Sequence, residues 1–138
     1  NPTFLGSTAA YSDIISKLGG KPVDGLYATM TVVNPYLDDD SPPVRAWANK
    51  YKARFNEEPS TYSVYGYLAG DVFAMGVQKA GANLTTDSFI QVMDSMTVPP
   101  DIFGLPAMRF SATQRLGAEK ARLSQIQNGR WKVVSDYF

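Results

Sequence analysis

Apolar residues are spaced at the helical interval through the middle of the chain and at the strand interval toward both ends. Val44, Trp47, Ala48, Tyr51 and Phe55 stand at i, i+3, i+4, i+7 and i+11, one stripe of a helix. Burying four large side chains of this kind contributes roughly 1.5–3 kcal/mol each before entropy costs, enough to dock the helix. A second helix is predicted over about 64–80, with Tyr65, Leu68, Val72 and Met75 on one face and Gly81 as a left-handed stop. A third starts near Thr86, where Asp87 suits the positive helix end; it carries Phe89, Ile90, Met93 and Met96, and Pro99-Pro100 closes it.

The two ends read differently. Thr3 to Gly6 is a short strand-like stub, and Ser7 or Ser12 is placed to cap a helix carrying Ile14, Ile15 and Leu18 before Gly19-Gly20. Leu26 to Val33 is β-branched and aromatic with apolar character on both faces, which predicts a strand covered on two sides and ended by Asn34-Pro35. The opening is therefore β-α-β. Beyond Ala107 come Met108 and Phe110, then Ala121 to Ile126 and Arg130 to Val134, the last two joined by Asn128-Gly129. That dipeptide between alternating residues predicts a hairpin whose two turn positions need positive φ. The fold class is α/β, with a helix-rich middle and a β-hairpin tail.

Composition narrows the chemistry. The chain has 138 residues, 44% of them hydrophobic and 12% aromatic, which suits one modest globular unit. Lys+Arg and Asp+Glu are equal at 13 each, so no net field draws nucleic acid or an anionic membrane. Neither Cys nor His occurs, which removes disulfides, thiolate nucleophiles, the usual neutral-pH base and the commonest metal ligand. An enzyme would have to work with Asp, Glu, Lys, Ser or Tyr, and no spacing suggests paired catalytic carboxylates. No catalytic residue, metal or cofactor is expected. Asp38-Asp39-Asp40 lacks the alternating ligands and glycine of a calcium loop and reads as helix-start charge on a solvated linker. The chain opens on Asn1-Pro2 with no Met and no basic-then-apolar leader, the pattern expected of a processed or truncated product.

Several stretches, in order, carry a resemblance. They are Phe4-Leu5-Gly6; Val23-Asp24-Gly25-Leu26-Tyr27; Tyr51-Lys52-Ala53-Arg54-Phe55 with Pro59; Tyr67-Leu68-Ala69 through Lys79-Ala80-Gly81; and Gln125-Ile126-Gln127-Asn128-Gly129-Arg130-Trp131. Taken together they resemble the type I periplasmic solute-binding proteins of ABC importers, in the branched-chain amino acid receptor-like family. The resemblance implies the carboxy-terminal part of a two-lobed receptor. Residues 1–33 and 105–138 would belong to the C-terminal lobe and 36–98 to the N-terminal lobe, with crossovers near 34–37 and 99–104. It also implies a small-molecule ligand, an ABC permease as partner, and a place in the periplasm or, lipid-anchored, on the extracellular face. A sensor of the same fold acting in signalling or regulation is the alternative. The isolated piece would expose surfaces made for absent neighbours and is expected to form a homodimer or higher oligomer, by element swapping or otherwise.

The resemblance also points to ligand-binding residues. The loop after the first strand carries Ser7, Thr8 and Tyr11; amino-acid binders of this family tend to place an acid where Thr8 stands. Thr8 supplies no charge, which shifts the expected ligand from amino acids toward an uncharged or purely anionic one, such as an aromatic or aliphatic carboxylate. Ser7 or Thr8 as a mere helix cap is the competing reading. Tyr62 matches an aromatic position against the ligand, and Tyr65 lies one turn further on; flat faces with hydroxyl handles suit a planar or branched ligand. Ordinary packing is the alternative for both, and the favoured reading for Tyr67.

Overall fold

A computed structural model describes residues 2–138; Asn1, the first residue of the 1–33 segment, lies outside the described residues. The chain runs β1 (Leu5–Gly6), α1 (Asp13–Gly19), β2 (Tyr27–Met30), α2 (Pro42–Phe55), α3 (Thr61–Ala80), α4 (Thr86–Met93), β3 (Thr97–Val98), β4 (Met108–Arg109), β5 (Arg122–Gln127) and β6 (Arg130–Val133). The α/β order expected from the pattern is thus present. Two sheets form, one of four strands in the order β1-β2-β5-β6 and one of β3 with β4.

β1 and β2 pair in parallel and are joined through α1, the β-α-β opening. Ser12, not Ser7, caps α1, its hydroxyl accepting from Ile14 N at 3.3 Å. β2 is shorter than its apolar run and is not buried on both faces: Ala28 and Met30 are fully buried while Tyr27 and Thr29 between them are half-buried. Ala28 lies opposite buried Ser124 on β5, and Ile126 opposite Trp131 on β6, so one sheet face builds a core with Tyr11 and part of α1. The β5–β6 turn has the predicted signs, φ 53° at Asn128 and 74° at Gly129.

Val44 of the α2 stripe packs with Val64 and Leu68 of α3, Val32 and Phe103, with Trp47 partly buried against them; Ala48 is buried too, whereas Phe55, expected on the buried face, is exposed because the stripe outruns the surface that covers it. α3 begins at Thr61, earlier than the apolar pattern suggests, because Ser60 and Ser63 cap each other's backbone N–H reciprocally. Gly81 ends it with φ 72° and ψ −156°, a positive-φ stop outside the left-handed helical region. Pro99-Pro100 does not close α4; that helix ends at Met93, and β3 intervenes before the prolines. Antiparallel pairing of Thr97 with Arg109 and Val98 with Met108 holds 108–109 beside the helices. Arg109 N donates to Gly117 O, and Arg115 reaches Asp94 at the end of α4 at 2.5 Å, so the chain stays on that side to about 117. Among the described residues no helix is long and apolar enough to cross a membrane.

Candidate functional site

The carboxyl ends of β1 and β2 lie side by side because the strands are parallel, and in open α/β sheets that is the end where ligands bind. Beyond β1 the chain turns back at once in a 3-10 turn over Thr8–Ala10. Gly6 permits it: a Cβ there would stand 2.6 Å from the Ala10 Cβ. The tight return brings Thr8 Oγ1 to 3.0 Å from Thr29 Oγ1 on β2. The alternation of β2 continues past its last paired residue, with Val32 fully buried and Thr31 half-buried. Thr31 Oγ1 lies 3.3 Å from the Tyr65 hydroxyl, one turn into α3. Four hydroxyls therefore form two hydrogen-bonded pairs leading from the sheet to the helices.

The residues singled out from sequence fall in different surroundings. Thr8 and Tyr65 belong to these pairs. Tyr62 is 65% exposed, and its ring sits edge-on to that of Tyr65 with centroids 6.5 Å apart. Ser7 is exposed, and it precedes the 3-10 turn without a side-chain cap bond. Tyr11 is 3% exposed: its hydroxyl accepts from Asn34 N at 2.8 Å and its ring stands 5.1 Å from Trp131. Burial raises the Tyr11 phenol far above its ordinary range, so it stays protonated. Tyr67 packs edge-on against Trp47 and Phe103, yet 47% of it remains exposed. Thr29 and Thr31 also join these pairs, which the sequence conceals because threonine is an ordinary strand former in a β-branched run. Their alternation with Ala28, Met30 and Val32 was the available signal.

The passage beyond β2 is anchored on both sides. Asn34 gives its backbone N–H to Tyr11 and accepts from Thr61 Oγ1 at 3.1 Å through its side chain. Val33 N donates to Phe103 O at 2.9 Å, binding this passage to the 101–105 loop. Further on, Arg130 grips Asp38 with both terminal nitrogens, at 2.7 and 2.8 Å, and lies 4.0 Å over the Tyr36 ring. This contact holds the Asp38 carboxyl below the usual carboxylate range. The aspartate run precedes the first turn of α2: Asp39 accepts from the N–H of the N-cap Ser41, and the largely exposed Asp38 clasps Arg130 of β6. Among the described residues no group of three or more acidic side chains is arranged to hold a metal ion.

The sequence profile of the periplasmic binding protein family matches residues 1–130. The chain belongs to that family. Its fold is that of part of solved family members. A fatty acid ABC transporter substrate-binding protein from Thermomonospora curvata superposes with a TM-score of 0.77 at 24% identity, covering 97% of this chain and 36% of that one. A branched-chain amino acid ABC transporter protein from Thermus thermophilus with bound valine gives 0.74 at 20% identity, covering 97% and 38%. A Rhodopseudomonas palustris solute-binding protein in complex with benzoate gives 0.68 at 18% identity, covering 94% and 34%. The chain thus spans little more than a third of each of these three relatives. No curated protein matches it in sequence.

Proposed function

We propose that this chain is the carboxy-terminal part of an extracytoplasmic receptor that captures a small organic solute and delivers it to an ABC permease, with no chemical step of its own. The solute is amino-acid-like or an aromatic or aliphatic carboxylate, and the receptor is periplasmic or lipid-anchored. The observation that carries the reading is the hydroxyl line from Thr8 to Tyr65, which spans from sheet to helices at the carboxyl ends of β1 and β2. Ser7, Thr8, Tyr62 and Tyr65 are the ligand-facing residues on this reading; Tyr11, buried behind them, supports the loop from below.

On the same reading the sheet part and the helical part lie on opposite lobes of a cleft, and the passage at 34–37 is one crossover. The β3–β4 pairing supports placing the other near 117–121 instead of 99–104, with 105–117 on the helical lobe. The exposed β1 edge and apolar faces support self-association of the isolated chain.

A thermal-shift screen of the complete receptor against valine, benzoate and medium-chain fatty acids tests the function. A ligand held only by the native state stabilises it by about 2.7 kcal/mol at a hundred times its Kd. At least one of the three classes is expected to raise the melting temperature in a saturable way. Failure of all three counts against a solute receptor.

A further inference from the structure

We propose that the groove between α2 and α3 is a second binding site, taking a small apolar anion such as an aromatic acid of one or two rings. It shares no residue with the site assigned to the solute, whose side chains are Ser7, Thr8, Tyr62 and Tyr65. The groove has a volume of about 330 Å³ and is lined chiefly by Trp47, Lys50, Tyr51, Arg54 and Phe55 of α2 and Tyr67 of α3. On α2 the three rings recur every four residues, and Lys50 and Arg54 recur at the same interval beside them. One row of rings therefore runs alongside one row of cations. Ring centroids stand 5.4 Å apart for Trp47 and Tyr51 and 4.6 Å for Tyr51 and Phe55, and Tyr67 closes the other wall 5.4 Å from Trp47. Behind Trp47 the fully buried Phe103 packs edge-on at 4.9 Å, so packing alone holds the floor in place.

Four rings by themselves suit a quaternary ammonium. The cations decide against one. Among the described residues neither Lys50 nor Arg54 pairs with a carboxylate, and no acid lines the groove. Glu57, nearby, accepts from the Tyr51 hydroxyl at 2.8 Å, so one acid stands against two bases. Arg54 lies 5.9 Å from the Phe55 centroid, at the outer reach of a cation–π contact, which leaves its N–H donors free for an anion. A purely apolar neighbour laid over the groove leaves two charges without a partner, and a hydrophilic one leaves four rings unfilled. A molecule with an apolar body and an anionic end satisfies both, by ring contact and by charge-assisted hydrogen bonds. The volume, at the small end for ligand sites, limits that body to one or two rings.

Calorimetric titration of the complete receptor with 1-naphthoate, and with 1-naphthylmethylammonium as the same rings under the opposite charge, tests the site. Naphthoate is expected to bind about tenfold or more tighter than the ammonium. Lys50→Gln combined with Arg54→Gln should weaken naphthoate about tenfold. Both side chains are exposed, and unchanged melting temperatures of the ligand-free variants separate this from misfolding. Tyr65→Ala, which alters the solute site, should still bind a full equivalent of naphthoate. Equal affinity for the two charges, unaltered naphthoate binding in the Lys50 and Arg54 double variant, or loss of it in Tyr65→Ala overturns the assignment while leaving the receptor reading intact. A complete receptor that takes up no naphthoate overturns it too, since the rest of the protein then covers the groove.

Discussion

Asp101 sits where the 101–105 loop folds beneath Phe103, its Oδ1 accepting from Phe103 N and Leu105 N, both at 2.8 Å. Its Oδ2 is buried without a partner, and desolvation raises the carboxyl above its ordinary 3.8 despite those two donors. The folded state therefore holds this proton more tightly than the unfolded chain does. It follows that Asp101 favours folding below 3.8 and loses that contribution as pH climbs through its raised folded value. Asp101→Asn keeps an oxygen for both N–H groups and removes the titration. Urea midpoints measured from acid to neutral pH should fall with pH more steeply in the wild type than in the variant. Parallel curves would mean that the carboxyl is effectively solvated.

Gly6 and Ala10 set an element, the 3-10 turn, and through it the position of Thr8. Gly6→Ala drives a methyl to 2.6 Å from the Ala10 Cβ, and neither atom is the free end of a long side chain, so backbone must move. The expected cost is about 1–3 kcal/mol, together with weaker ligand binding as Thr8 leaves Thr29. Ala10→Gly in the same chain should recover part of both losses; additive effects in that double-mutant cycle would refute direct contact. At this scale much of the fold was legible in the sequence. The α2 helix and the Asn128-Gly129 hairpin carry strong local signals and form where expected, but the α2 stripe buries only Val44 and Ala48, leaving Trp47 and Tyr51 half-buried and Phe55 exposed. The apolar run Leu26 to Val33 outlasts β2, whose pairing with β5 ends at Met30 opposite Arg122, and no local signal in the run marks that end. The start of α3 was missed because its capping box uses Ser63 in place of Glu or Gln. β3 and β4 have two residues each, too few to display a period, so the return of the chain beyond Pro100 could be read only from their pairing.

Among the described residues two apolar cores form, one under the four-stranded sheet around Met30 and Trp131, the other among α2, α3 and Phe103, with Val33 packed against both. Slender links join them: the Asn34–Thr61 bond, the Thr31–Tyr65 pair, and Lys17 of α1 lying 3.8 Å from Glu58. Much apolar surface stays in water. Leu5 on edge strand β1 is 65% exposed, Leu18 of α1 84%, and Phe73 of α3 60%. A groove of about 330 Å³ on the helical side opens between Trp47, Tyr51, Phe55 and Tyr67. Chains of this size rarely leave so many large side chains uncovered unless a neighbour covers them. If the rest of a receptor is that neighbour, the chain alone must find another, and a second copy offers a matching β1 edge for strand pairing. Sedimentation velocity of the isolated chain should therefore give a dimer or larger species that dissociates on dilution. Co-expression with the preceding part of the receptor should replace it by a one-to-one complex, since the same surfaces cannot serve both partners. A monodisperse monomer at micromolar concentration would mean that these faces are stable in water, and the case for a lobe in need of its other part would fail.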